Sequence, residues 1–148
     1  MVAARRRPPM SEVIPPAAFE MEITATEADM DELGHVNNVV YLSWVQDVAK
    51  GHWFAVSTPE ETALQAWVAV RHEIDYKKAA VAGDRLVART WIGEVSRVTS
   101  ERFVEIRKRD SLELLVTCRT VWASINRQTG RSMRTDPEVM ARFRVTRS

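Results

Sequence analysis

At 148 residues, with 45% hydrophobic and 28% charged residues, the chain fits one domain able to bury roughly two thirds of its unfolded surface, with disorder left to its ends. Lys+Arg of 21 against Asp+Glu of 20 gives a net charge of +1, too even for a nucleic-acid binder, so any anionic ligand must be met by local basic groups. The single cysteine, Cys118, excludes an internal disulfide and, set in an apolar run, reads as a buried, inert thiol.

Met1 to Pro16 carries Arg5-Arg6-Arg7 and two proline pairs and lacks the apolar middle of a secretory signal. It reads as a mobile arm over 1–16, followed by a single domain over 17–148. No apolar stretch is long enough to cross a bilayer, so no membrane partner and a cytoplasmic location are expected. Phe19 to Thr26 alternates Phe19, Met21, Ile23 and Ala25 with Glu20, Glu22, Thr24 and Thr26, the period of a strand with one wet face.

From Asn38 the period becomes helical, with a polar stripe of Ser43, Gln46, Asp47 and Lys50 against a far wider apolar surface that includes Trp44, Val45, Val48 and Trp53. A helix so apolar must be wrapped on several sides. Asn37 or Asn38 can cap it. After a loop containing Pro59, strands are predicted over Trp67 to Tyr76, Leu86 to Glu94, Glu101 to Arg109 and Leu112 to Ile125. The turns at Gly83-Asp84, Asp110-Ser111 and Asn126 to Gly130 predict antiparallel pairing of consecutive strands. Asp136-Pro137-Glu138 opens a short last helix ending near Phe143. The fold class is therefore α+β, a curved antiparallel sheet around one long central helix. Its open edges favour association with a second copy.

Between the first strand and the long helix, Asp29 to Tyr41 sets carboxylates and a polar cluster at a helix start, where the first N–H groups lack partners and favour negative charge. Asp31 can attack an acyl carbon directly or activate a water. Asp29 reads as a residue that satisfies loop amides. His35, His52 and His72 have no metal-ligand spacing with one another or with Cys118.

The string Asp31-Glu32-Leu33-Gly34-His35-Val36-Asn37-Asn38, with Tyr41 in the next turn, resembles the active-site segment of hot-dog fold thioesterases of the 4-hydroxybenzoyl-CoA type. Arg71 to Lys78, the Gly83-Asp84 turn, Ser100 and the element order extend the resemblance over nearly the whole chain. It implies a hot-dog fold and hydrolysis of an acyl-CoA thioester without metal or cofactor, CoA being part of the substrate. A homodimer or homotetramer, with the pocket assembled between subunits, is also implied.

By that resemblance Asp31 is the catalytic carboxylate, as nucleophile or general base. The Asn38 backbone N–H polarises the thioester carbonyl, a contribution of about 2.7 to 4 kcal/mol for such a donor. Gly34 lets the chain turn between them, and His35 positions the carbonyl, bonds Asp31 or fills the turn. Tyr41 lines the acyl pocket, while Lys77, Lys78 and Arg97 meet the phosphates. Gln46 stands where many relatives carry Glu, which leaves Asp31 as the lone carboxylate candidate. Plant acyl-carrier-protein thioesterases are similar around His-Val-Asn-Asn but carry Asn where Leu33 stands here. Acyl carrier protein is the alternative partner, and a non-catalytic acyl-CoA-binding module the alternative of another class. Trp44, Trp53, Trp67 and Trp91 offer aromatic surface with no assigned role, and Arg102, Arg107 and Arg109 read as edge-strand gatekeepers.

Overall fold

Alternating burial makes β1 (Phe19–Thr24) a strand with one face inward, as its sequence period requires. The computed structural model describes residues 18–145, and the arm predicted over 1–16 lies outside them. A short 3₁₀ turn, Glu27–Asp29, leads into the polar segment. The long helix α1 (Asn38–Val56) follows, then α2 (Pro59–Leu64), β2 (Gln65–Tyr76), β3 (Arg85–Val95), β4 (Thr99–Lys108), β5 (Leu114–Asn126) and α3 (Pro137–Val145).

The strands form one five-stranded antiparallel sheet in the order β1-β3-β4-β5-β2. It is α+β and stays open, with β1 and β2 as edges. Tyr41, Trp44, Val45 and Val48 of α1 pack on Leu86 and Ala88 of β3, Val104 and Ile106 of β4, and Val116 and Cys118 of β5. Val45 and Val48 are completely buried, so the sheet wraps the helix as its broad apolar surface demands. Burial raises the Cys118 thiol pKa, in keeping with an inert core residue.

Three expectations are corrected. The Gly83-Asp84 turn does not join a hairpin: β2 pairs with β5 and β3 with β1, so the link from β2 to β3 crosses the sheet. The Pro59 loop is the helix α2, held by a capping box in which Thr58 Oγ1 accepts from the Glu61 N–H and Glu61 Oε1 from the Thr58 N–H. The third concerns β4, which is interior rather than an edge. Arg107 there pairs at 2.7 Å with the buried Glu105, and Arg102 faces the helix side, in contact with His52 of α1.

The opposite face of the sheet carries ion pairs, Glu20 with Arg89 at 2.7 Å and Glu101 with Arg119 at 2.5 Å. A Cβ at Gly93 would collide with Glu101 Oε1 and stand 2.6 Å from Phe103. Only glycine leaves room there, where β3 and β4 shift register. Among the described residues no helix is long and apolar enough to cross a membrane.

Candidate active site

The loop before α1 is closed by its own backbone. Asp31 N–H donates to the His35 carbonyl at 2.7 Å and Gly34 N–H to the Asp31 carbonyl at 3.1 Å. Gly34 has φ +81°, a left-handed conformation that costs little only at glycine. Within this turn Asp31 Oδ1 accepts from the N–H of Leu33 at 2.8 Å and of His35 at 3.2 Å. The His35 amide, then that of Leu33, hold the Asp31 carboxyl below its ordinary 3.8 against a small opposing effect of burial. Asp31 is thus ionised and oriented, with Oδ2 making no hydrogen bond among the described residues.

Asn37, not Asn38, caps the helix, its side chain accepting from the Val39 N–H at 2.9 Å. Asn38 is the first helical residue, and its N–H makes no hydrogen bond among the described residues. Its carbonyl accepts from the Tyr76 hydroxyl at 3.1 Å, which ties the end of β2 to the helix start. Val36 N–H donates to the Ala80 carbonyl, fixing the turn to the loop after β2. Asp29 takes no part: its Oδ2 accepts from the N–H and hydroxyl of Thr26. An ionised carboxylate therefore lies a few residues from an unpartnered N–H at the positive end of a 19-residue helix. Such a pair can attack or hydrate an acyl carbon while holding the oxyanion that forms.

The family model of the thioesterase-like superfamily matches residues 26–143, which includes this turn, the helix and the whole sheet beyond β1. The chain belongs to the thioesterase-like superfamily. No curated protein matches it at a significant level. Among solved structures, a 1,4-dihydroxy-2-naphthoyl-CoA thioesterase from Synechocystis is 21% identical, with 84% of this chain and 96% of that one covered at a TM-score of 0.73. A Staphylococcus aureus protein in complex with CoA is 18% identical over 92% and 90% at 0.74. The 12:0-ACP thioesterase of Umbellularia californica is 18% identical over 85% of this chain and 49% of its own, at 0.72. These neighbours share the hot-dog fold, and the family makes this chain a thioester hydrolase.

In this thioesterase the remaining predicted residues separate. Tyr41, expected on the acyl pocket, is 1% exposed. It packs edge-on against Trp44, and its hydroxyl accepts from the Ala80 N–H at 2.8 Å, so it braces the loop beneath the Asp31 turn. Lys77 and Lys78 follow β2 at the end of the sheet that carries the turn, with Lys78 3.3 Å from Glu113. Arg97 lies beyond the far end of the 11-residue β3, about 35 Å away along the strand. One subunit does not bring it to the two lysines.

Gln46 faces His72 across 3.5 Å, and His72 Nδ1 lies 2.8 Å from the Thr120 hydroxyl. Burial lowers the His72 pKa, so the ring is neutral at neutral pH. Among the described residues no three His, Cys, Asp or Glu side chains are placed to hold a metal ion. Two residues of the site lacked a role in the sequence, Tyr76 and His72. Their signal was inward parity with Ile74 on β2: a polar residue on the helix side of a strand needs a partner there.

Proposed function

We propose that this thioesterase hydrolyses acyl-CoA esters at the Asp31 turn. The observation that carries the reading is the Asp31 carboxylate, tied at one oxygen by the Leu33 and His35 amides, beside the unpartnered Asn38 N–H. The free oxygen attacks the thioester carbon while the carbonyl oxygen, gaining the electron pair, accepts from Asn38. Collapse expels CoA as thiolate and leaves a mixed anhydride on Asp31. Water then opens the anhydride, releasing the acid and restoring the carboxylate. A lowered pKa suits a nucleophile that needs only to be ionised and suits a general base poorly, which favours this route over water activation.

Exposed Lys77 and Lys78 meet the CoA phosphates from the same end of the sheet. Arg97 reaches that end only from a second copy, which the open β2 edge, with exposed Val68 and Val70, is suited to pair. The CoA complex of one structural neighbour supports CoA as carrier. Acyl carrier protein is the alternative carrier. Thiol release from a panel of acyl-CoA and acyl-carrier-protein esters tests the reading, with turnover expected on CoA esters and lost in Asp31→Asn. Undiminished turnover in that variant, or none on any ester, overturns it.

A further inference from the structure

A second site stands at the other end of α1. A cavity of about 250 Å³ opens between the last turns of α1, β2, the inner face of β4 and β5, and α3. Among the described residues Trp53, Trp67 and Trp122 line it, together with three cations, Lys50, Arg102 and Arg127, and no carboxylate. Trp53 lies fifteen residues beyond Asn38, about 22 Å along the helix axis, so within one subunit the cavity is separate from the Asp31 turn.

Its chemistry is one-sided. Arg102 is only 6% exposed, yet no carboxylate pairs with it among the described residues. One nitrogen, Nη1, donates to His52 Nδ1 at 2.9 Å and to the Thr90 hydroxyl at 3.0 Å. The other guanidinium nitrogens make no hydrogen bond among the described residues. Trp122 also lines the cavity, and its indole N–H is buried without a partner among the described residues. Burial brings the guanidinium pKa down to about 9, still charged at neutral pH. A buried charge without a counter-ion is costly, and unsatisfied donors with no acceptor call for a group that only accepts, which a carboxylate does.

Size narrows the ligand further. A dry cavity of about 150 Å³ holds one benzene ring, and drug-sized ligands need about 300 Å³ or more. About 250 Å³ suits one ring or a short branched body with its carboxylate, and excludes CoA. We propose that this cavity binds a small carboxylic acid, its carboxylate on Arg102 and its apolar body between Trp53, Trp67 and Trp122. That chemistry has two sources, a free acid or the carboxyl-bearing far end of an acyl group.

Tryptophan fluorescence and calorimetry with benzoate, phenylacetate and naphthoate, each beside its carboxamide, test the site. Saturable binding of the acids is expected, with at least tenfold weaker binding of the amides. Arg102→Met should lose the acid by at least tenfold while its melting temperature holds or rises, because an unpaired buried cation has been replaced by hydrocarbon. Arg102→Gln, which keeps a donor toward His52, should lose it equally. Binding should persist in Asp31→Asn, so failure of the hydrolase reading and failure of this one are separable. Competition against an acyl-CoA ester distinguishes the sources: competitive inhibition supports the acyl end, and binding without competition supports a free acid. Equal affinity for acid and amide, undiminished binding in both Arg102 variants, or no saturation by any acid overturns the proposal.

Discussion

Arg102 donates to Nδ1 of His52 at 2.9 Å, and this contact decides the state of the histidine. An arginine has only donors, so Nδ1 accepts and the ring proton sits on Nε2, where no partner meets it among the described residues. The neutral ring is used as an apolar plate, stacked 5.1 Å from Phe19 and edge-on at 4.9 Å to Phe143. Burial, and then the Arg102 charge, lower its pKa from 6.5 to about 3.

The pH consequence has a definite sign. Below pH 6.5 the unfolded chain takes a proton on His52, whereas the native protein takes one only near pH 3. Stability is therefore full above pH 6.5 and falls as pH drops through the window to about 3, by roughly 5 kcal/mol at the most. Urea midpoints at pH 7, 5.5 and 4.5 should fall more steeply for the wild type than for His52→Gln. Parallel losses in the two proteins would refute a neutral, buried His52.

The Asp31 carboxyl titrates below the ordinary aspartate value. It is held below 3.8 by the His35 and Leu33 amides, so it is ionised throughout the neutral range and contributes no ionisation to kcat/KM between pH 5 and 8. In Asp31→Asn the amide oxygen still accepts from both N–H groups, so the turn survives and the melting temperature stays nearly unchanged while kcat drops on the order of 10² to 10⁴-fold. A limb near pH 6 to 7 that disappears with Asp31 would contradict the assignment.

Tyr76 joins the end of β2 to the first residue of α1 through the Asn38 carbonyl at 3.1 Å. Removing the hydroxyl in Tyr76→Phe loses one net hydrogen bond, about 1 kcal/mol, and loosens the amide proposed to meet the oxyanion. The expected result is a several-fold fall in kcat with KM little changed. An effect confined to the melting temperature would reduce Tyr76 to a structural tie.

The main elements were legible because each has one dominant signal. Phe19, Met21 and Ile23 alternate with acids, and α1 is apolar over most of its surface. The Asp31 to Asn38 string is contiguous, so its residues meet through chain geometry alone. What could not be read depends on distant partners. The order β1-β3-β4-β5-β2 is set by how the sheet wraps α1, and the Gly83 turn is compatible with both hairpin and crossover. Arg102 looked like a surface charge because arginine on a strand is usually solvated; only its parity with Val104 and Ile106 marks it as inward. The α2 signal, Thr58-Pro59-Glu60-Glu61, is present in the sequence, but a proline opens a loop as readily as a first helical turn.

Gly93 sits where β3 and β4 slip register, and Glu101 Oε1 fills the space beside it while accepting from the Glu94 N–H at 2.9 Å. Glu101 also holds Arg119, so it cannot move without breaking both contacts. Gly93→Ala should cost about 1 to 3 kcal/mol, read as a lower urea midpoint with an unchanged slope. A neutral substitution would mean that Glu101 and Phe103 give way freely.

The β2 edge tests the proposed assembly. Val70 falls in the register shift between Ala69 and Arg71, and Val68 and Val70 are 50% and 59% exposed. Edge strands that remain solitary are blunted by charge or proline; the central part of β2 instead presents valines, followed by Arg71 and Glu73, which pair with each other at 2.7 Å. A second copy pairing along this edge would cover the valines and supply the Arg97 that one subunit keeps at the far end. Val68→Lys combined with Val70→Lys places two like charges on each edge, four across a symmetric pair. Light scattering should then report a shift toward monomer, with turnover falling as the monomer fraction rises. Wild-type protein that is monomeric and fully active would overturn both the pairing and the contribution of Arg97 from a second copy.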